Sequence, residues 1–443
     1  MAVVLDRDIN RRFERWLESG AQRALLVTGA RQIGKTYSIR RFLGKKAESS
    51  AEINFLLNRD AATIFTEASN AEEILFRLST IAGTRLIPGK TIIFLDEIQE
   101  SPEALTMIKA LVDEGSYRYI LSGSLLGVTL KMVRSNPVGY VDLVHMYPLS
   151  FFEFCQANNL GSDILDHLRT RLAEETNVDT YIHARLMELY HTYLVVGGMP
   201  QAVASYVEDN NLAYVRDAQA AVIQWYRADI AKYLDDAEAL KALDAFNLIP
   251  SELSNPNKRF VLKNLNEKAR LRSFEDALLW LNASHVALAV YNVDAPTRPL
   301  MAAKKRTLFK LFYCDVGLLT SQYGTAVASE LLTKSQTTDT NFGAVYENAV
   351  AQELYARGFT PYYYNSKKRG EIDFVVETKR GTVLPIEVKS GKNYKRHRAL
   401  DNILTVPEFH LEQAIVLGET NVERVGTVLN LPVYMAGLID PEA

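Results

Sequence analysis

The stretch Gly29-Ala30-Arg31-Gln32-Ile33-Gly34-Lys35-Thr36 decides the fold of the N-terminal part of this chain. Its spacing is G-x-x-x-x-G-K-[ST], and it lies between an apolar run at 24–27 and a helical pattern at 36–43. In this context the glycines let consecutive backbone N–H groups converge on phosphate oxygens at a helix N-terminus. Lys35 then supplies a charge for the outer phosphates, and the Thr36 hydroxyl is a ligand for Mg²⁺. The residues expected to bind the nucleotide here are Gly29, Gln32, Ile33, Gly34, Lys35 and Thr36.

A glycine-rich turn that matches this pattern by chance is the alternative, and the flanking strand and helix argue against it. A second apolar run, Thr91-Ile92-Ile93-Phe94-Leu95-Asp96-Glu97, supports the first, because a run of this kind is typical of a buried parallel strand. Acids at its carboxyl end project into the crevice where open α/β sheets bind ligands. Such acids are often only helix caps or surface groups. Beside a phosphate-binding loop, however, we expect Asp96 to hold Mg²⁺ and Glu97 to polarise the attacking water, so this part should bind and hydrolyse ATP.

Length and composition indicate a globular protein of several domains. The 443 residues exceed one ordinary core, so we expect three or four domains. Only two cysteines, Cys155 and Cys314, are present, which excludes a disulfide framework and fits a reducing cytoplasm. No stretch approaches the roughly 18–20 apolar residues of a membrane span, and the N-terminus lacks a signal-peptide pattern. We therefore expect a cytoplasmic protein without a membrane partner.

The pattern along the chain predicts an α/β multidomain protein. Over residues 1–153, strand-like runs alternate with helical patterns, which indicates βαβ units and the parallel sheet of a P-loop NTPase. The expected strands of this block are 24–27, 52–55, 91–96, 119–122 and 143–147. Ser122 or Ser124, after the fourth strand, would sense the terminal phosphate or form a plain turn.

Three further domains follow. Residues 154–236 predict a helical lid, interrupted at Gly197-Gly198-Met199-Pro200. Residues 237–328 predict a winged-helix-like unit that contacts either DNA or protein. Its expected elements are helices at 262–269 and 273–283 and strands at 286–293 and 308–313. A polar linker is expected at 329–341, and residues 342–433 predict a mixed α/β domain.

Two segments of this last domain bring acids and a lysine together. Residues 371–376 and 385–389 predict a hairpin joined across 378–381. Since residues two apart on a strand share a face, Glu387 and Lys389 point the same way, and Asp373 reaches that face from the neighbouring strand. Two carboxylates and a lysine there make a hard-cation site for Mg²⁺ or Mn²⁺ and a group that orients water. Glu347, on a helical stretch at 344–357, is a candidate for a further carboxylate.

An ordinary hairpin with an exposed ion pair is the plain alternative at this place. The acids are embedded in apolar strands, however, and the net charge of −3 hides a local excess of ten Lys or Arg over four Asp or Glu between 363 and 398. The flanking cations are Lys367, Lys368, Arg369, Lys392, Lys395, Arg396 and Arg398. Acids inside a basic surface are typical of metal-dependent phosphodiester cleavage, so DNA is the expected partner.

The chain resembles, over nearly its whole length, the prokaryotic AAA-type ATPases with a C-terminal DUF4143 domain. That domain is similar to the PD-(D/E)xK nuclease fold, which is restriction-endonuclease-like. The segments that carry the resemblance are 28–36, 94–99, 147–151, 193–200, 227–233, 309–319, 347–348, 371–374 and 386–390.

The resemblance implies ATP-dependent action with a nuclease-like module. Asp96 and Glu97 match the metal and catalytic acids of the ATPase. The residues that match the nuclease pattern are the metal-binding acids Asp373 and Glu387, the catalytic lysine Lys389 and the helical acid Glu347.

One position departs from the family pattern. Many relatives carry a basic residue after the glycine that precedes the P-L-S-F segment, but here Gly139 is followed by Tyr140. If that residue normally reaches the phosphates of ATP, another cation has to replace it, and an arginine finger is worth orders of magnitude in rate. Arg134 and Arg227 are the candidates.

Three functions stay open from the sequence. The first is an ATPase acting on nucleic acid, in which ATP turnover moves the helical and winged-helix domains relative to a metal-dependent nuclease. The second is a signalling or scaffold ATPase whose nuclease-like domain only binds DNA or a protein. The third, an ATPase acting on protein, lacks a recognisable substrate-threading loop. Intact Asp373, Glu387 and Lys389 favour the first, with a homo-oligomer left open.

Overall fold

The computed structural model describes residues 3–20, 22–58, 60–124, 139–261, 271–333, 342–391 and 395–442. The chain divides into two compact units. The N-terminal unit comprises Asp6–Tyr147 with Ala283–His285, and the C-terminal unit comprises Pro148–Asn282, Val286–Ala443 and the first five residues. The predicted boundary at 153 lies near this division, whereas those at 236 and 328 fall inside the C-terminal unit.

The N-terminal unit is built on a five-stranded parallel sheet with the strand order β2-β3-β4-β1-β5. The strands are β1 Ala24–Thr28, β2 Ser49–Asn54, β3 Thr91–Asp96, β4 Arg118–Gly123 and β5 Val141–His145. Every residue of β1 and β3 is buried, as expected for continuous apolar runs covered on both faces. The parallel sheet predicted from the sequence is confirmed.

Helices cover this sheet and close its core. They are α1 Asn10–Glu18, α2 Lys35–Lys46, α3 Ala61–Glu67, α4 Ala71–Ala82 and α5 Pro102–Glu114. Ile93 and Leu95 of β3 belong to one buried cluster with Ile74 of α4 and with Leu105 and Ile108 of α5. This burial fixes β3, and therefore the position at which its last residue leaves the sheet.

The C-terminal unit starts with a run of helices, as the pattern over 154–236 predicted. Its helices are α6 Phe151–Ala157, α7 Ser162–Glu174, α8 Thr180–Val196, α9 Pro200–Asp209, α10 Leu212–Tyr233, α11 Asp236–Ser254, α12 Leu271–Ala283, α13 Val316–Thr333, α14 Phe342–Ala356 and α15 Arg398–Leu404. Because α13 continues to Thr333, the first part of the expected linker is helical, and its remainder at 334–341 lies outside the described residues. The helix predicted at 262–269 also lies outside them.

A mixed eight-stranded sheet forms the second layer of this unit, in the order β12-β13-β11-β10-β9-β8-β6-β7. The strands are β6 Ala287–Val293, β7 Lys304–Tyr313, β8 Tyr362–Ser366, β9 Gly370–Glu377, β10 Val383–Val388, β11 Ala414–Gly418, β12 Glu423–Val425 and β13 Val428–Pro432. The antiparallel pairing of β9 with β10 confirms the predicted hairpin.

The ribbon β6–β7, predicted as the wing of a winged-helix-like unit, belongs to this same sheet. Tyr291 of β6 is in register with Tyr362 of β8, and the two strands run parallel. Helix α14 packs on the ribbon, where the buried Asn348 side chain accepts the N–H of Tyr313 at 3.0 Å and donates to its carbonyl at 3.0 Å. The ribbon and the DUF4143-like strands therefore share one hydrogen-bonded layer, which the sequence pattern does not indicate.

The Gly197-Gly198 bend is held by a buried carboxylate. Asp315 accepts hydrogen bonds from the backbone N–H groups of Gly198 and Leu318. Burial raises the pKa of Asp315 to about 6, although the N–H donors oppose that change. The Gly198 carbonyl accepts the Leu149 N–H at 2.7 Å, and a Cβ on Gly198 would lie 2.0 Å from the Leu149 oxygen. The bend therefore requires glycine at position 198.

Gly198→Ala should destabilise the C-terminal unit by about 3 kcal/mol, at the upper end of the cost of overpacking, because backbone atoms cannot yield as side chains do. Calorimetric unfolding of the whole chain would measure it. Gly391→Ala is the matched control, since a Cβ there meets no atom within 4 Å. Equal unfolding midpoints for the two variants would contradict this account.

Candidate functional site

The loop from Gly29 to Thr36 closes between the end of β1 and the start of α2. Gln32 and Gly34 have left-handed backbone angles, with φ of 63° and 90°. Gly29 has φ of 143°, and a Cβ there would stand 2.2 Å from the Met146 carbonyl oxygen. Successive turns of this kind build a concavity of N–H groups that binds anions. The loop thus has the backbone that phosphate binding requires.

Two charged side chains donate hydrogen bonds to backbone carbonyls of this loop. The buried Lys35 amine donates to the carbonyls of Gly29 at 3.1 Å and Ala30 at 2.7 Å, so it lies across the loop. Behind the loop, the Arg7 guanidinium donates to the Ile33 carbonyl at 2.8 Å and to the Tyr147 carbonyl at 2.6 Å. Nothing in the sequence pattern indicates this role for Arg7.

Asp96, at the end of β3, is surrounded by neutral donors. The Thr36 hydroxyl lies 3.0 and 3.1 Å from its two oxygens, the Asn54 amide donates to it at 2.7 Å, and the Ser122 hydroxyl is a further donor. Burial raises the pKa of Asp96, and the bonds from Ser122, Thr36 and Asn54 partly oppose that rise. A carboxylate beside a hydroxyl fits Mg²⁺, which prefers oxygen ligands.

Glu97 follows in a left-handed conformation, with φ of 57° and ψ of 49°. Its carboxylate accepts hydrogen bonds from the Gln99 amide and, at 3.2 Å, from the Ser124 hydroxyl. A residue other than glycine keeps such a conformation at a cost of about 1–3 kcal/mol, which indicates a constrained position. Ser122 and Ser124 each donate to one of the two acids, a role that the sequence analysis did not anticipate.

A second cluster of charges lies in the C-terminal unit, where the sequence predicted a metal site. Its centre is the amine of Lys310 on β7, a side chain with no exposed surface. The Nζ atom lies 2.8 Å from Glu371 Oε1, 3.2 Å from Glu347 Oε2 and 3.9 Å from Asp373 Oδ1. Lys258 bonds the other oxygen of Glu347. The acids predicted from the sequence do meet, but around lysine amines.

The hairpin acids complete this cluster. Lys389 donates to Glu387 Oε1 at 2.7 Å, so these two residues share a face as predicted. Asp373 Oδ2 accepts the Val388 N–H at 2.8 Å. Burial, Glu347 and Glu387 raise the pKa of Asp373. The pKa of Glu347 is lowered, since Lys310 and Lys258 outweigh its burial.

The cluster does not fit a divalent metal ion as it stands. Both oxygens of Glu347 already hold ammonium groups. Within the described ranges, no group of three or more His, Cys, Asp or Glu side chains is arranged to hold a metal ion. Glu347, one of the three acids expected to bind the metal ion, therefore has no oxygen left for it, and the metal-binding role of Asp373 and Glu387 stays a prediction.

A basic patch adjoins this cluster at the start of β9. It is formed by the β8–β9 turn and by the residues leading into α15, which meet because Gly370 packs against Ala399 and the Asn402 amide donates to the Arg369 carbonyl at 3.1 Å. Its members are Lys367, Lys368, Arg369, Lys395, Arg396 and Arg398, all exposed except the half-buried Arg369. Lys392 lies outside the described residues. The patch thus gathers cations from two separate segments.

Comparison with known protein families gives separate matches in the N-terminal and C-terminal units of the chain. A family model described as an AAA domain matches residues 21–155, and the DUF4143 model matches residues 342–434. The chain therefore contains an N-terminal AAA domain, which supports ATPase activity, and a C-terminal DUF4143 domain. Between the two, a domain of unknown function, DUF8612, matches residues 187–328. No curated protein matches this AAA-type ATPase in sequence.

Several solved structures are similar in fold to this ATPase. A Walker-type ATPase of Pyrococcus abyssi is 14% identical, with 72% of this chain and 96% of that chain covered and a TM-score of 0.44. The Aeropyrum pernix ORC1 protein, solved with DNA, is 13% identical over 75% and 94%, with a TM-score of 0.30. The Thermotoga maritima RuvB branch migration motor is 11% identical over 64% and 89%, with a TM-score of 0.31.

The two candidates for an arginine finger remain predictions. Arg227, a candidate finger, lies exposed on α10 of the C-terminal unit and donates to Asn247 at 2.9 Å, while Arg134 lies outside the described residues. Across the described ranges, no helix combines the length and the apolar character needed to span a bilayer.

The residues that sequence reasoning missed are mainly partners of the acids. Asn54 is in register with Asp96 on the neighbouring strand, so the pairing of β2 with β3 was the signal that could have identified it. Lys310 and Lys258 gave no such signal. His145 and His285, whose rings lie 4.6 Å apart in the N-terminal unit, were also missed. Burial, His145 and Lys35 lower the pKa of His285 to about 3, so this imidazole is neutral at physiological pH.

Asn54→Ala should lower kcat/KM for MgATP about tenfold, the equivalent of one hydrogen bond to a charged group. Because the Asn54 bond lowers the pKa of Asp96, its loss raises that pKa and moves the acid limb of the rate–pH profile to higher pH. Steady-state ATPase assays across pH would measure both effects. Asn70→Ala, which removes only the cap of α4, is the control and should leave the profile in place. An unshifted profile in Asn54→Ala would refute the role of Asn54.

Proposed function

We propose that this AAA-type ATPase uses ATP turnover to act on nucleic acid, which it contacts through the basic patch of its DUF4143 domain. The observation that carries the proposal is the patch itself, in which two segments that are separated in sequence but in contact carry six cations. Phosphate backbones are the ligands that such exposed Lys and Arg groups bind best, without regard to sequence.

In the N-terminal unit, we assign a role to each polar group of the expected nucleotide site. The loop N–H groups and Lys35 bind phosphate oxygens, and a Mg²⁺ ion held by Thr36 and Asp96 would neutralise phosphate charge. Glu97, fixed by Gln99 and Ser124, orients and polarises the attacking water. Asn54 and Ser122 keep the Asp96 carboxylate turned toward Thr36.

In the DUF4143 half, the contacts favour binding over cleavage. The nearest member of the patch, Arg369, lies two residues before Glu371, whose carboxylate is already bonded by Lys310 and Asn365. A nucleic-acid backbone on the patch would therefore lie beside acids that are neutralised by lysines. Among the functions left open by the sequence, this favours a nuclease-like domain that binds DNA.

Cellular location and assembly complete the proposal. Cys155 and Cys314 are buried and unbridged, which supports a reducing, cytoplasmic environment. In a homo-oligomer, an arginine of a second copy would reach the nucleotide. This arginine would supply the positive charge that is absent at position 140, where this chain has Tyr140.

Lys35→Ala should abolish tight ATP binding, because the outer phosphates lose their point charge, whereas Glu97→Gln should bind ATP and stop turnover. Isothermal titration with ATP and a phosphate-release assay would separate the two steps. Retained hydrolysis in Glu97→Gln would remove Glu97 from its role as the base.

The double variant Lys367→Ala with Lys368→Ala should weaken DNA binding about tenfold and reduce the slope of log affinity against log salt by about 1–2. Fluorescence anisotropy with labelled single- and double-stranded DNA at several salt concentrations would measure this.

The matched control removes two cations at the other end of the same strand, Lys379→Ala with Arg380→Ala, where both residues are exposed. Equal weakening by the control pair would show a general charge effect. Absence of DNA binding by the unaltered chain would favour a protein partner instead.

A further inference from the structure

Lys310 lies where three carboxylates from two elements of the C-terminal unit converge. Glu347 comes from α14, and Glu371 and Asp373 come from alternate positions of β9. The Lys310 amine lies within 4 Å of an oxygen of each, at 2.8 Å from Glu371, 3.2 Å from Glu347 and 3.9 Å from Asp373. One cation thus serves three acids.

A second amine fills the other side of the cluster. Lys258, in the turn after α11, bonds the second oxygen of Glu347, and this side chain is 13% exposed. The turn reaches β7 because the Phe260 N–H donates to the Phe309 carbonyl at 2.9 Å, next to Lys310. Neither oxygen of Glu347 remains open to an incoming cation.

Distances distinguish a lysine from a metal ion at this position. An ammonium group donates hydrogen bonds of about 2.8 Å, whereas Mg²⁺ lies about 2.0–2.1 Å and Ca²⁺ about 2.3–2.6 Å from its oxygen ligands. A divalent ion shared by Glu347 and Asp373 would need the space that the Lys310 amine fills. The two cations exclude each other by contact and by charge.

The cluster also has little charge to offer a metal ion. Four carboxylates, Glu347, Glu371, Asp373 and Glu387, face three ammonium groups, Lys258, Lys310 and Lys389. At most one negative charge stays unmatched. Mg²⁺ in proteins is usually bound through one or two carboxylates together with other open oxygen ligands, and here the ammonium groups leave one negative charge of four for such an ion.

Within the part of the chain that the structure describes, the Lys310 amine has no route to solvent. The side chain has no exposed surface, its backbone is in register with Val290 on β6, and the Tyr363 ring centre lies 5.2 Å from the amine. To leave the acids, the amine would have to enter an apolar core or open the sheet. Either movement breaks three ionic contacts.

We propose that Lys310 is the resident cation of this acid cluster and stands in the place of a divalent metal ion, so that the DUF4143 domain holds nucleic acid without cutting it. The metal-free cluster follows from the geometry alone, and the nucleic-acid part rests on the function proposed above. Glu387, whose Oε2 atom is buried without a hydrogen-bond partner, stays paired with Lys389 through its other oxygen.

The test compares Lys310→Met, which keeps the length of the side chain and removes its charge, with Lys310→Arg, which keeps a cation. Both variants and the parent chain carry Asp96→Asn, so that the nucleotide site contributes no carboxylate to metal binding. Mn²⁺ binding is measured by electron paramagnetic resonance without nucleotide. We expect one Mn²⁺ site in Lys310→Met that is at least about tenfold tighter than in the parent chain and in Lys310→Arg.

Three results would overturn the proposal. One is stoichiometric Mn²⁺ binding by the parent chain that Glu347→Gln removes, and another is Mn²⁺-dependent nicking of plasmid DNA by the unaltered chain that Asp373→Ala removes. The third is a folded Lys310→Met variant, by circular dichroism, that gains no Mn²⁺ site. If Lys310→Met does not fold, the parent chain and the unaltered chain decide through the first two measurements. DNA anisotropy is read separately, so its failure would remove the proposed function and leave the metal result standing.

Discussion

The buried ammonium group of Lys310 is the constraint on which the C-terminal unit depends. An unpaired charge in a protein interior is so costly that it has to be matched where it lies, and removing one partner of a buried ion pair typically costs about 3–5 kcal/mol. Lys310, its three acidic partners and Lys258 are spread over residues 258–373, on a turn, a helix and two strands. These elements therefore have to pack together, because each buried charge depends on partners that other elements supply.

The two acid sites of the chain show how the type of partner determines what a carboxylate can do. Asp96 is held by hydroxyl and amide groups, which orient it and leave its negative charge available to a cation. The Glu347 carboxylate is held by two ammonium groups, which consume that charge. Both sites place acids at or next to strands, so a sequence pattern describes them in the same way. The hydrogen-bond partners of the acids come from elsewhere in the chain. They leave Asp96 able to bind a cation, whereas they leave Glu347 already neutralised.

The sequence predicted the features that local spacing controls. The phosphate-binding loop, the five strands of the parallel sheet and the β9–β10 hairpin all follow from apolar periodicity and from glycines within a short window. What it could not predict were long-range contacts. Lys310 is one lysine on a strand whose pattern resembles many others, and only the packing of α14 and β9 against that strand reveals its partners.

The long-range pairing of the β6–β7 ribbon was likewise not predictable from the sequence. Helices followed by two strands are consistent with a self-contained winged-helix unit, and the pairing of β6 with β8 connects strands that are about seventy residues apart. A parallel contact of that length leaves no mark on local composition, because each strand carries the same alternation of side chains with or without it. Asn54 is the intermediate case, since the register of two adjacent strands would have been enough to find it.

The shared sheet also limits how the DUF4143 domain can behave as an evolutionary module. Cut out at residues 342–433, the domain would lose β6 and β7 and leave β8 with an unpaired row of backbone donors and acceptors. It would also leave Glu347, Glu371 and Asp373 without the lysine that neutralises them. Open strand edges invite pairing with other chains, and clustered buried acids repel one another. Recombination that transfers this domain between proteins must therefore carry the ribbon with it.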